Sequence, residues 1–274
     1  MALTPQEKRT AFRALHERGC FVIPNPWDVG SAKMLAGLGF KALATTSSGF
    51  AWSQGSADNT VPREVVLAHI RTIAGATDLP VNADFEGGYA AHAEGVAESV
   101  RMAVDSGVAG LSIEDSTGDT ENPLRALDDA VNRIRAARTA IDETRTGTML
   151  VGRAENFIVN RPDINDVVRR LRAYSEAGAD CLYAPGIRTR EHIIAVVTAV
   201  APKPVNLLIG AQSDFTLKDA EAMGVRRISV GGALARAAWG GFMRAAKTIA
   251  EEGRFDGLAD AMPHKDLDGF FRAR

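Results

Sequence analysis

Two carboxylates two positions apart close the stretch Val81-Asn82-Ala83-Asp84-Phe85-Glu86-Gly87-Gly88-Tyr89. The stretch begins apolar and extended, and the glycines behind the acids mark a turn. Residues i and i+2 of a strand share one face, so Asp84 and Glu86 are predicted to point into the same space. Like charges held that close disfavour each other's ionised form unless a cation lies between them. A second acidic strand end, Gly110-Leu111-Ser112-Ile113-Glu114-Asp115, adds Glu114 to the set. An oxygen-only donor set suits a hard divalent cation, magnesium or alternatively manganese. The competing reading is a pair of solvated turn acids, and two acidic strand ends in one chain weigh against it.

Other strand ends carry compatible chemistry. Arg153 ends the apolar run Thr148–Arg153, with Glu155 two positions on. A guanidinium there needs an anion, which is either a substrate carboxylate in its fork or an internal partner, Glu155 or Glu114. Ser47, Ser48 and Gly49 offer hydroxyls and backbone N–H groups to a carboxylate or phosphate, or simply form a Ser/Gly turn. Gly231-Gly232, ahead of a helix, resembles a barrel phosphate site, or only lets that helix pack closely. Asn25, Trp27, Asp28, Tyr183 and Asn206 also fall at strand ends. The histidines His16, His69, His92, His192 and His264 form no metal-spaced pair, so a zinc centre is not expected. Trp52 and Trp239 read as core or interface.

These residues need a scaffold that gathers strand ends. Eight short apolar runs recur: Cys20–Pro24, Ala42–Thr46, Pro80–Asp84, Gly110–Glu114, Thr148–Arg153, Cys181–Ala184, Val205–Ile209 and Arg227–Val230. Several are continuously apolar, as in a parallel sheet covered on both faces. Helical spacing fills the gaps, for example over Arg63–Ala76, Leu127–Asp142 and Ile164–Gly178. Gly39, Gly107, Gly178 and Gly224 each precede the apolar residue that starts a new strand, a helix-end signal. Eight such units predict an α/β chain folded as a (β/α)8 TIM barrel, with its active site at the C-terminal ends of the strands. The expected organisation is one domain over 1–274, the barrel covering about 20–250 and a C-terminal tail 251–274. The helix Ala233–Glu252 and the tail with Phe270 and Phe271 exceed what a barrel needs and predict packing on a partner subunit.

Composition narrows the function class. With 274 residues, 46% hydrophobic, 24% charged and a formal net charge of −2, the chain has the balance of an ordinary globule. It gives no electrostatic reason to bind nucleic acid or an anionic membrane. Cys20 and Cys181 lie far apart without a CxxC, which fits a reducing cytoplasm. The stretch Met1 to Gly19 is charged and lacks a signal peptide's apolar core. No run approaches the about 18 apolar residues of a membrane helix.

The motifs together resemble the isocitrate lyase/phosphoenolpyruvate mutase superfamily, roughly from Asn25 to Gly240. They are Asp84-Phe85-Glu86-Gly87-Gly88-Tyr89, Gly110-Leu111-Ser112-Ile113-Glu114-Asp115, Gly152-Arg153-Ala154-Glu155, Ser48-Gly49-Phe50 and Asp58 in Gly55-Ser56-Ala57-Asp58. The resemblance implies that Asp84 binds magnesium directly while Asp58, Glu86 and Glu114 hold it through water. It implies that Ser48, Gly49 and Arg153 grip a substrate carboxylate, within a substrate pocket of Trp27, Ser47, Ser48, Gly49, Phe50, Asp84, Arg153 and Asn206. Arg153 and Glu114 are the expected catalytic pair. The implied chemistry is cleavage of a C–C bond in a small 2-oxo or 2-hydroxy di- or tricarboxylic acid, through a metal-stabilised enolate, in a homodimer or homotetramer with exchanged C-terminal helices. The loop after the fourth strand, Ser116–Leu124, lacks the Lys-Arg/Lys-Cys-Gly-His motif of isocitrate and methylisocitrate lyases. Its Asp119 and Glu121 would repel a phosphonate. The rival readings are a phosphonomutase or phosphonopyruvate hydrolase, and a non-catalytic barrel that binds an oxo acid.

Overall fold

The computed structural model describes residues 2–272. They form two compact units, the first ending at Gly232 and the second beginning at Ala233. The first holds eight parallel strands: β1 Phe21–Ile23, β2 Leu43–Ala44, β3 Val81–Asp84, β4 Gly110–Glu114, β5 Met149–Arg153, β6 Cys181–Tyr183, β7 Val205–Leu208 and β8 Arg227–Ser229. The ladder runs β1-β8-β7-β6-β5-β4-β3-β2. The Ala44 N–H donates to the Pro24 carbonyl at 3.0 Å and bridges the remaining gap. The chain is therefore a (β/α)8 barrel, as its sequence predicts.

Helices separate the strands: α2 Val29–Gly37, α3 Ser47–Ser53, α4 Arg63–Ala76, α5 Ala93–Asp105, α6 Leu127–Thr144, α7 Ile164–Glu176, α8 Arg190–Val200 and α9 Leu217–Ala222. Gly39, Gly107, Gly178 and Gly224 all adopt left-handed φ. At Gly178 a Cβ would also meet Arg138 Cγ at 2.6 Å, so this turn needs glycine for space as well as for conformation. The short α3 begins within the stretch read as a Ser/Gly turn. Thr46 caps it, its hydroxyl accepting the Gly49 N–H at 3.3 Å.

Ahead of β1, helix α1 (Pro5–Leu15) opens with a capping box between Thr4 and Glu7 and closes the lower end of the barrel. Fully buried Phe12 packs among Ile23, Ala42, Ala44, Ala109 and Met149. Burying such a ring contributes about 1.5–3 kcal/mol. Arg9 and Lys8 donate to the Val108 and Ala74 carbonyls, at 3.0 and 2.8 Å, and tie the helix to the α4 and α5 ends. Above Phe12, His16 Nδ1 donates to the Phe12 carbonyl at 2.8 Å and Nε2 faces Arg227 at 3.5 Å.

The second unit contains α10 (Ala233–Glu252), a 3-10 turn at Asp256–Leu258 and α11 (His264–Arg272). Trp239, Phe242, Met243, Phe255, Leu258 and Met262 are exposed. No helix among the described residues is long and apolar enough to cross a membrane.

Candidate active site

Register sets the inner face of the barrel. Asp84 pairs with Ser112, Glu114 with Arg153, Arg153 with Tyr183, and Tyr183 with Asn206. The strands therefore present a ring of polar side chains at their C-terminal ends. A cavity of about 170 Å³ opens there, lined among others by Asn25, Ser47, Ser48, Asp58, Asp84, Arg153, Tyr183, Asn206 and Ser229.

Asp84 is held from two sides. Its Oδ2 accepts the Ser47 N–H at 3.0 Å, and its own N–H donates to Thr45 Oγ1 at 2.8 Å. Its Oδ1 lies 3.2 Å from Arg153 Nη1, which is also 3.2 Å from Glu114. Arg153 Nε pairs with Glu155. Of the two partners open to Arg153, the internal acids are thus engaged in this structure. Among the described residues no protein acceptor bonds Nη2, and Arg153 lines the cavity.

One guanidinium cannot neutralise this set. Burial, and then the charge of Asp84, raises the carboxyl of Asp58. Burial pushes Glu86 up to about 7, with the charges of Asp84 and Asp58 adding to it. Burial, then the charges of Glu155, Asp84 and Glu86, holds Glu114 well above the usual carboxylate range despite Arg153. Arg153 itself keeps its proton firmly, because the surrounding acids outweigh its burial. The donors are all oxygens and they lack positive charge, which fits a hard divalent cation. Among the described residues, no three Asp, Glu, His or Cys side chains converge on one point. A cation would therefore take one or two carboxylates directly and complete its shell with water, as magnesium does.

The turn behind β3 is strained. Glu86 and Tyr89 have left-handed φ of 46° and 52°, a conformation costing about 1–3 kcal/mol when the residue is not glycine. Fully buried Arg133 on α6 holds it, donating to the carbonyls of Ala90 (3.0 Å), Gly87 (3.4 Å) and Ala91.

Several expected site residues stand elsewhere. Glu86 and Glu114 lie behind the cavity wall rather than on it. Gly49 spends its N–H on Thr46. Phe50 stacks on His69 with ring centroids 3.7 Å apart and joins the core. Half-buried Trp27 does not reach the cavity. The backbone N–H groups of Val230 and Gly231 both donate to Asn25 Oδ1 at 2.9 Å, so the phosphate-site reading loses those donors. Asp115 turns outward and takes the Tyr174 hydroxyl at 2.6 Å, Arg170 at 3.1 Å and the Glu155 N–H at 2.8 Å. It fixes the segment after β5 from behind.

Asn82, Ser112, Tyr183 and Ser229 line the cavity without having been assigned a role from sequence. Part of their signal was present: Ser112 is a polar residue in an apolar strand and pairs with Asp84, and Tyr183 pairs with Arg153. Asn206 is fully buried, donating to Ser229 Oγ at 2.9 Å and accepting from Arg227 Nε at 2.8 Å.

A barrel with acids on β3 and β4 and an arginine on β5 defines a class of enzyme that gathers charge at strand ends. The phosphoenolpyruvate phosphomutase family model matches residues 12–250, and the chain belongs to that family, within the phosphoenolpyruvate mutase/isocitrate lyase superfamily. A candidate lyase/mutase from Burkholderia cenocepacia is 46% identical, with a TM-score of 0.95 over 98% of this chain and 97% of that one. An oxaloacetate acetylhydrolase crystallised with its product oxalate is 27% identical, with a TM-score of 0.86 over 98% and 95%. The oxaloacetate decarboxylase of Paraburkholderia xenovorans is 29% identical over 83% of this chain and 76% of that one.

Proposed function

We propose that the chain is a magnesium-dependent lyase that cleaves a C–C bond of a small 2-oxo or 2-hydroxy di- or tricarboxylic acid, with a four-carbon 2-oxo dicarboxylic acid as the best fit. The observation that carries this reading is the under-neutralised group Asp58, Asp84, Glu86 and Glu114, arranged around a small cavity that also holds Arg153. The oxaloacetate-acting relatives support the substrate class.

Asp84 would hold the ion directly, with Asp58, Glu86 and Glu114 acting through water. When bound, the ion supplies positive charge beside the oxygen on which an enolate develops. Arg153 Nη2 takes a substrate carboxylate oxygen while Nη1 and Nε stay fixed by Asp84, Glu114 and Glu155. Ser47 and Ser48 also line the cavity and orient the second carboxylate. The loop Ser116–Leu124, bridged across its base from Ser116 to Leu124, covers the site during turnover and limits water entry. The exposed apolar residues of α10 and of the segment beyond it supply a self-association surface for a dimer or tetramer, and a reducing cytoplasm suits the two free cysteines.

The test is turnover of a panel of 2-oxo and 2-hydroxy di- and tricarboxylic acids with magnesium, with manganese and with EDTA. Phosphonopyruvate in the same panel separates C–C from P–C cleavage. Turnover of phosphonopyruvate alone would overturn the carbon–carbon assignment.

A further inference from the structure

C–C cleavage leaves an electron pair that must finally take a proton, and the chain needs a group to supply it. Among the described residues, no imidazole and no thiol lines the cavity. The alkyl hydroxyls on the wall are weaker acids than a phenol, and its carboxylates, Asp58 and Asp84, are assigned above to the ion. The loop Ser116–Leu124 contributes only two exposed acids, three alkyl hydroxyls and an amide.

One phenol remains. Tyr183 ends β6 beside Arg153 on one flank and Asn206 on the other, so its side chain points inward. It is 8% exposed and lines the cavity. The Arg153 guanidinium carbon lies 5.1 Å from its ring centroid, and Ser229 is the polar neighbour of its hydroxyl.

We propose that the Tyr183 hydroxyl delivers the proton to the enolate carbon after C–C cleavage. This assignment rests on the lyase reading above. In the step, written for the four-carbon 2-oxo dicarboxylic acid, the bond between the carbon beside the ketone and its carboxylate breaks, the carboxylate leaves as carbon dioxide, and the bonding pair becomes the enolate C=C as the carbonyl π pair moves onto oxygen. The Tyr183 O–H bond then breaks, the enolate pair forms the new C–H bond and the carbonyl returns. The phenolate left behind faces the Arg153 charge and regains a proton from water. Burial pushes the Tyr183 hydroxyl up to about 12, against the opposing influence of Arg153 and Ser229, so the group carries its proton at neutral pH. Arg153 thereby serves twice, once toward the substrate carboxylate and once toward the transient phenolate.

Tyr183→Phe keeps the ring and its contact with Arg153 and removes the hydroxyl, with its proton and its Ser229 contact. On the panel acid turned over fastest by the magnesium-loaded wild-type chain, Y183F should lose about 100-fold or more in kcat, with KM and oxalate affinity unchanged. Replacing Tyr183 with 3,5-difluorotyrosine, a stronger acid, should move the alkaline limb of the kcat–pH profile to lower pH. A purely structural Tyr183 would move neither kcat in Y183F nor that limb. If Y183F does not fold, the fluorinated chain decides alone, and an unmoved limb overturns the assignment. Full kcat in Y183F overturns it while leaving the lyase standing. A wild-type chain inactive on the whole panel overturns both.

Discussion

Arg153 on β5 reaches past β4 to Asp84 on β3, its Nη1 3.2 Å from Asp84 Oδ1. The residue expected to bind metal and the residue expected to bind substrate therefore hold one another in place. Arg153→Lys keeps a charge but cannot serve Glu155, Glu114, Asp84 and a substrate carboxylate together. It should cost about 2–4 kcal/mol of transition-state stabilisation, or roughly 30- to 1000-fold in kcat/KM. Arg153→Met should also lower stability by about 3–5 kcal/mol, because it leaves buried acids unpaired. Steady-state kinetics and urea unfolding read the two effects, and R153K with full kcat/KM would make Arg153 purely structural.

Metal binding should stabilise the fold by mass action. At free magnesium 100 times its dissociation constant the gain is about 2.7 kcal/mol, seen as a raised melting temperature. Asp84→Ala should abolish that rise. An unchanged magnesium response in D84A would remove Asp84 as the direct ligand.

Most strand ends were legible in the sequence because a buried parallel strand must be apolar until it reaches the mouth of the barrel, where Asp84, Glu114 and Arg153 break the pattern. The helix ends were legible for a similarly local reason, the left-handed turn at Gly39, Gly107, Gly178 and Gly224. What sequence hid is what depends on partners far along the chain. Asp115 follows Glu114 directly yet points to Arg170 and Tyr174 on α7. The Gly231 amide reads as an anion donor until Asn25, 206 residues away, takes it. Phe50 sits in a plausible substrate loop, but the turn of α3 carries it onto His69.

Arg133 offers a test of the strained turn. Arg133→Met removes the donor to Gly87, Ala90 and Ala91. Loss of such buried, charge-assisted bonds should destabilise by about 2–4 kcal/mol. Because the turn carries Glu86, the variant should also need more magnesium for the same thermal shift. Urea unfolding and a magnesium titration of melting temperature check the pair, and an unchanged magnesium midpoint would uncouple Arg133 from the metal site.

His16 predicts an acid-side loss of stability. Burial, and then the Arg227 charge, lowers its imidazole from 6.5 to about 3. The folded state refuses a proton that the unfolded state accepts, so the contribution is complete above pH 6.5 and is lost progressively as pH falls toward 3. The slope is at most about 1.4 kcal/mol per pH unit for this one group. His16→Gln should flatten unfolding free energy against pH over that window. Parallel curves for the two proteins would show that His16 does not titrate there.

Self-association should follow from the exposed Trp239, Phe242, Met243, Phe255 and Leu258. Light scattering at micromolar concentration should give a dimer or tetramer, and Trp239→Glu with Phe242→Glu should shift it toward monomer. A monomeric wild-type chain would rule the association out.

The central claim is read most directly by carbon-13 NMR of a uniformly labelled four-carbon 2-oxo dicarboxylic acid incubated with the chain and magnesium. The account predicts loss of one carbon–carbon coupling and the appearance of two labelled fragments at an enzyme-dependent rate, abolished by EDTA and by D84A. An intact carbon skeleton, with oxalate binding demonstrated on the same sample, would contradict it and leave a barrel that binds the acid without cleaving it.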